Sequence, residues 1–321
     1  MKFAIVGAGA IGAFVGAMLA KSGEDVTLIA RGAHLRAMQE HGVHVRGTVG
    51  EFVAHPAATD NPAKVGTVDV VLLTLKAHSL TDFAPKLGPL IGPDTTVVTA
   101  QNGLPWWYFY KHGGEWEGTH LESVDPGGVI AANIDPARVI GCIVYPATVI
   151  TAPGEIEHIE GNRLPIGEPD GSKSERCKRI SEAFIKAGFK SPIRSDIRHD
   201  MWVKLMGNSA FNPISTLTRA TLVEITQFPE TRELAAAIMG EVDSVAKKLG
   251  IEMGITIAQR IEGAEKVGAH KTSMLQDLEA GRPLELEAIV GAVVELGDKL
   301  GVPLPSIKAL YACVKLLIKN R

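Results

Sequence analysis

At 321 residues the chain exceeds the usual size of a single hydrophobic core, so two domains are expected. Its 45% hydrophobic and 21% charged residues suit a water-soluble globular protein, and a formal net charge of -3 supplies no basic field for nucleic acid or anionic lipid. Cys142, Cys177 and Cys313 are odd in number and form no Cys-x-x-Cys pair, which argues against a disulfide framework and for a reducing, cytoplasmic compartment; no metal is expected.

Residues 3–20 carry no charge, and Gly12 and Gly16 even have the small-xxx-small spacing of membrane helix pairs. Four glycines interrupt the run, two of them directly after a β-type stretch. A strand, a tight turn and a helix explain this better than a membrane span or a targeting segment. Residues 3–6 read as a buried strand and 10–21 as a helix stopped by Ser22 and Gly23. A second strand at 26–30, a polar helical stretch at 34–41 and a β-rich passage at 43–54 follow. VDVVLLTL at 68–75 is the continuous apolar run of a strand buried on both faces. Residues 95–99 repeat that pattern and run straight into Gln101, Asn102 and Gly103. Strands alternating with helices imply a parallel sheet. From 129 to 168 the short alternating segments look antiparallel and are expected to extend that sheet, and 175–187 reads as a helix. Composition shifts near 191–198. Beyond it, helical periods at 201–217, 230–249, 257–267, 284–300 and 305–319 leave no convincing strand. The expected fold is α/β, with a mostly parallel N-terminal sheet domain (1–196) followed by an all-helical C-terminal domain (197–321).

Gly7, Ala8, Gly9, Ala10, Ile11 and Gly12 form a complete G-x-G-x-x-G between the first strand and the first helix. The string alone is weak, but this is the context in which it binds dinucleotides: Gly7 for the turn, Gly9 for backbone approach to a pyrophosphate, Gly12 for close helix–strand packing. The N-terminal domain is therefore Rossmann-type. The second strand ends in Arg31 rather than the carboxylate that would hold a ribose 2′-hydroxyl. A guanidinium suits a 2′-phosphate, so Arg31 argues for NADP(H). Lys76 and Asn102 follow strand C-terminal ends, where ligands bind in open α/β sheets; a solvated lysine and a simple turn remain the alternatives.

In the helical domain Lys204, Asn208 and Asn212 recur every four residues and share one helix face. Pro213 follows at once and is expected to kink the helix and expose polar backbone. A lysine and two amides suit a polar, oxygen-rich ligand, although surface helices carry such stripes routinely. Ser273 is placed to cap a helix or to meet an anion. Spacing alone does not choose between Glu285 and Glu287.

GAGAIG, Arg31, TLKA around Lys76, QNG at Asn102, WVKLMGNSAFNP at 202–213 and TSMLQDLEAGRPLELE at 272–287 together resemble the ketopantoate reductase (2-dehydropantoate 2-reductase) family, in order and over almost the whole length. The resemblance implies Lys204 as proton donor, Asn208 and Asn212 as substrate amides and Ser273 as the carboxylate-binding hydroxyl. It also implies Glu285 as the active-site glutamate, placed with both the catalytic and the cofactor-contacting residues. Arg31, Lys76 and Asn102, and more loosely Ala147, match NADPH-contacting positions. The implied reaction is NADPH-dependent reduction of ketopantoate to pantoate, the step that feeds pantothenate and coenzyme A synthesis.

The chain departs from the family pattern at Ser79, where glutamine is common, and near Leu222, where an asparagine is missing. The stretch from Trp106 to Tyr110 is bulkier than expected, and either packs the domain or reshapes the pocket for a bulkier or more apolar oxo acid; another branched 2-oxo acid is the alternative substrate. A non-catalytic NADP(H) sensor is a further reading, against which Lys204 argues. A dehydrogenase of phosphorylated substrates would need further basic residues near Lys204, and none is visible there. Partners are thus a small 2-oxo acid, without nucleic acid or membrane. The apolar positions Ala288, Val290, Val293 and Val294 suit either internal packing or a homodimer through the helical domain.

Overall fold

The charge-free opening folds as strand β1 (Lys2–Val6) and helix α1 (Ala10–Lys21) in the computed structural model, which describes residues 1–321. Strand β2 (Asp25–Ile29), helix α2 (Gly32–His41), and strands β3 (Val43–Gly47), β4 (Phe52–Ala54), β5 (Ala57–Thr59) and β6 (Val70–Leu73) follow. Next come helix α3 (Ala77–Phe83), strand β7 (Thr96–Thr99), helix α4 (Val129–Asn133) and strand β8 (Val139–Cys142). Strands β9 (Ala147–Ala152), β10 (Glu155–Glu160) and β11 (Ile166–Gly167) and helix α5 (Glu175–Lys186) complete this half.

The main sheet has seven strands in the order β11-β8-β7-β6-β1-β2-β5. Every pairing in it is parallel except β11 on β8. Strand order reverses on either side of β1, so β1 and β6 flank the switch point at which open α/β sheets bind ligands. The expectation that 129–168 extends this sheet holds only for β8 and β11, and residues 129–133 are helical. β9 and β10 instead join β3 and β4 in a separate sheet ordered β4-β3-β10-β9, through a parallel β3–β10 pairing that nothing local in the sequence encodes.

That second sheet explains why α1 has no polar face. The helix packs against β1 and β2 and also against β3, β4, β9 and β10, so nearly every side chain must be apolar. Gly12 and Gly16 serve helix–strand contact: a Cβ on Gly16 would run into Leu28 and meet Ile5 Cγ1 at 3.2 Å. Phe14 stacks on His158 with ring centroids 4.6 Å apart and meets Phe189 edge-on at 5.6 Å. Full burial of such a ring contributes about 2–3 kcal/mol.

The remaining chain is helical: α6 (Ile197–Thr218), α7 (Leu222–Gln227), α8 (Pro229–Lys248), α9 (Ile257–Val267), α10 (Ser273–Glu279), α11 (Ala292–Leu300) and α12 (Pro305–Lys319). A π turn at Glu287–Gly291 leads directly into α11. Two compact units result. One comprises Met1–Gln101, Pro105–His120 and Gly127–Ile197; the other comprises Asn102–Leu104, Leu121–Pro126 and Arg198–Arg321. Ala288, Val290 and Val293 are buried within the chain, so internal packing consumes three of the side chains considered for a dimer contact. No helix is long and apolar enough to cross a membrane.

Candidate functional site

In the sheet unit the glycine loop closes over the carboxyl end of β1. The Gly7 and Ala8 N–H groups both donate to the Ile29 carbonyl at the end of β2, at 3.2 and 3.0 Å. Gly7 has φ +99°, and a Cβ there would meet the Leu75 backbone nitrogen at 2.6 Å. Thr74 Oγ1 donates to the Gly7 carbonyl at 2.9 Å, and Gln101 Nε2 to the Leu75 carbonyl at 2.9 Å. The loop, the end of β6 just before Lys76, and the residue just before Asn102 are thereby tied together. The roles of Thr74 and Gln101 escaped the sequence reading because their service is to backbone carbonyls, which no side-chain pattern reveals.

The loop fits a dinucleotide. Gly9 is the N-cap of α1 without a side-chain cap, and the first turn has no acidic residue, so the helix N-terminus presents N–H groups and a positive dipole end. A Cβ on Gly9 would meet nothing nearer than the Gly7 oxygen at 3.9 Å, which leaves space for a phosphate over the backbone. Arg31 is exposed at the N-cap of α2, and no carboxylate stands at the end of β2. Lys76 is the N-cap residue of α3, half-buried. Ala147 begins β9 in the second sheet. His34, unremarked in the sequence, accepts a hydrogen bond from the Gly154 N–H at 2.9 Å, and its Nε2 is buried beside Ala8 of the glycine loop. Burial holds its imidazole below the ordinary histidine pKa.

In the helical unit Lys204 and Asn208 are half-buried on α6, and Asn212 is 4% exposed with its Nδ2 lacking a hydrogen-bond partner. α6 continues unbroken through Pro213, and the surrounding residues are buried, so the expected exposure of polar backbone does not occur. Hydroxyls take up neighbouring carbonyls instead: Thr216 donates to Asn212 O and Thr218 to Ile214 O, each at 2.8 Å.

The π turn fastens this helix. Ser209 Oγ donates to the Ile289 carbonyl at 3.1 Å, and the Leu104 N–H donates to the Ala288 carbonyl at 3.0 Å. Gly103, at φ +88°, lies so close to Ala288 that a Cβ would meet its carbonyl carbon at 2.5 Å. One widened turn therefore holds both the Asn102-Gly103 turn and the helix that carries Lys204. Glu285 lies just before it, 6% exposed, and its carbonyl accepts from the Ile289 N–H at 3.3 Å. Glu287 is exposed and accepts from the Tyr311 hydroxyl at 2.6 Å. Burial first, and then that carboxylate, push the Tyr311 pKa upward. The two glutamates thus occupy different surroundings.

Ser273 is exposed as the first residue of α10, and the cap is Thr272, whose hydroxyl accepts from the Leu275 N–H at 3.2 Å. The capping option for Ser273 is thereby corrected, and no hydrogen bond links it to the α6 face. Contrary to the sequence reading, a second basic group does stand near Lys204. Arg260 of α9 lays its guanidinium on the backbone of Gly207, one turn along from Lys204. Its distance in sequence hid it.

The Trp106–Tyr110 stretch is largely core. Trp107 is 1% exposed and donates its Nε1–H to Thr99 Oγ1 at 3.0 Å, while Tyr108 and Phe109 meet edge-on at 4.8 Å.

Residues 3–171 match the family model described as ketopantoate reductase PanE/ApbA, and residues 196–318 match the model of its C-terminal part. A protein of Mesorhizobium japonicum named 2-dehydropantoate 2-reductase is 49% identical, the alignment covering 100% of this chain and 99% of that protein. The crystal structure of a putative ketopantoate reductase from Ralstonia solanacearum MolK2 superposes with a TM-score of 0.94 at 39% identity, covering 100% of this chain and 98% of that one. A 2-dehydropantoate 2-reductase structure from Geobacter metallireducens GS-15 gives 0.87 at 28% identity, covering 99% and 100%.

Proposed function

Because the chain belongs to the ketopantoate reductase family, we propose that it reduces ketopantoate to pantoate with NADPH, with Lys204 as proton donor. The observation that carries this reading is the full-length 49% identity to a protein of that name, in a chain that presents Lys204, Asn208 and Asn212 along one helix. When bound, the nicotinamide cofactor supplies the hydride.

The chain's own residues do the rest. The α1 N-terminus and the Gly7–Gly12 backbone would hold the pyrophosphate, and Arg31 the 2′-phosphate. Lys76 and Asn102 would complete the cofactor contacts, with Ala147 a looser one. As the keto carbon is reduced, negative charge grows on its oxygen. The Lys204 ammonium stabilises that charge and then passes a proton to the oxygen from Nζ, an effect typically worth roughly 10²–10⁴-fold. Asn208 and Asn212 orient the substrate through their amides, and the unpartnered Asn212 Nδ2 is a buried donor suited to that task. Ser273 offers its hydroxyl to the carboxylate. Glu285 orients the Lys204 ammonium and accepts from a substrate hydroxyl. A cytoplasmic location fits this role.

The test is isotopic. NADPH carrying deuterium at both hydrogens of the reactive nicotinamide carbon should deliver one to C2 of pantoate, read by mass spectrometry of the product. Pantoate without deuterium, or no pantoate, would refute direct hydride transfer to this substrate.

A further inference from the structure

We propose that Arg260 is the residue that recognises the substrate carboxylate, acting with Ser273; this rests on the 2-oxo acid reading above. Lys204, Gly207, Asn208 and Phe211 follow the i, i+3, i+4, i+7 spacing of one helix face. Glycine is a destabilising choice inside a helix, and Gly207 sits in the middle of α6 with no turn or positive φ to require it. Its bare backbone is the seat of the Arg260 guanidinium. A Cβ on Gly207 would meet Arg260 Cζ at 2.5 Å and Nε at 2.7 Å, and Cζ lies 6.0 Å from the Phe211 ring centroid. The half-buried guanidinium is therefore held against the strip of α6 that continues from Lys204.

A 2-oxo acid carries two groups that suit these two side chains. Its keto oxygen, where negative charge develops, and its planar carboxylate are attached to adjacent carbons. A lysine ammonium suits the first as a point charge, and the guanidinium fork suits the second through paired hydrogen bonds. The arrangement assigns proton donation to Lys204 and recognition of the acid to Arg260, so Arg260 sets specificity for acids over neutral ketones.

The experiment compares ketopantoate with its uncharged lactone in the wild type, Arg260→Ala and Arg260→Lys, each checked for folding by circular dichroism and for NADPH affinity by titration. In Arg260→Ala the KM for the acid should rise roughly 10- to 100-fold, with kcat less affected, and the acid-over-lactone preference in kcat/KM should collapse. Added guanidinium ion should partly restore it. Arg260→Lys should keep some preference for the acid but lose the paired contact. Equal losses on acid and lactone, or none on either, would overturn the assignment and leave the packing contact with Phe211 as the role of Arg260. If Arg260→Ala does not fold, an Arg260→Lys enzyme with undiminished preference overturns it equally. Wild-type protein that reduces neither compound would overturn the functional reading itself, an outcome distinct from a working enzyme indifferent to Arg260.

Discussion

Arg31 occupies the place where an NAD-specific fold would set a carboxylate and is exposed at the N-cap of α2, so the proposed preference for NADPH can be tested at this one residue. Arg31→Asp replaces an attraction for the 2′-phosphate with a repulsion. The NADPH Kd should weaken about 10- to 100-fold while NADH affinity barely changes, as read by fluorescence titration with both. Equal losses would show that Arg31 does not touch the 2′-phosphate. His34 carries a pH signature. Burial depresses its folded pKa below the ordinary value of about 6.5. The unfolded chain therefore takes up a proton that the native state refuses as pH falls through about 6.5, so acidification costs stability until the folded pKa is passed. His34→Asn retains an acceptor near the Gly154 N–H without titrating. Urea unfolding between about pH 7 and 5 should lose less stability in this variant than in the wild type, and parallel curves would acquit His34.

Among the elements, the π turn at Glu287–Gly291 departs furthest from what periodicity suggests. The sequence around it reads as an ordinary helix from 284, because apolar spacing scarcely distinguishes one widened turn from an α-turn. What fixes it is tertiary: Leu104 N–H and Ser209 Oγ reach the Ala288 and Ile289 carbonyls. Ser209→Ala removes the side-chain tie from α6 to the Ile289 carbonyl. It should cost about 0.5–1.5 kcal/mol in urea unfolding and lower turnover with NADPH affinity unchanged, whereas wild-type stability and turnover would show the bond to be incidental. The legible parts of the fold share one property, locality. GAGAIG, the VVLL run of β6 and the four-residue spacing of Lys204, Asn208 and Asn212 each lie within one element. Arg260 on Gly207, Gln101 on Leu75, and β10 against β3 join distant segments, and no local pattern announces them. Ser273 and Thr272 were too close in chemistry and position for spacing to choose the cap.

At the scale of the whole molecule, the sheet unit depends on aromatic packing that an active-site reading would misassign. Trp107 is buried and bonded to Thr99 at the end of β7, so Trp107→Ala should cost about 3–5 kcal/mol in chemical unfolding, mostly as a stability loss in that unit. Little destabilisation, with a changed substrate preference, would instead place Trp107 in the pocket. In the other unit, Lys204 on α6 is the proposed proton donor for reduction of a 2-oxo acid. The most direct test is steady-state NADPH oxidation with ketopantoate and a panel of other branched 2-oxo acids, in wild type and Lys204→Ala. The expected result is the highest kcat/KM on ketopantoate and a loss of roughly 10²–10⁴-fold in kcat on removing the lysine, with NADPH affinity preserved. Turnover that survives Lys204→Ala, or a wild type that binds NADPH tightly and reduces no 2-oxo acid, would contradict it.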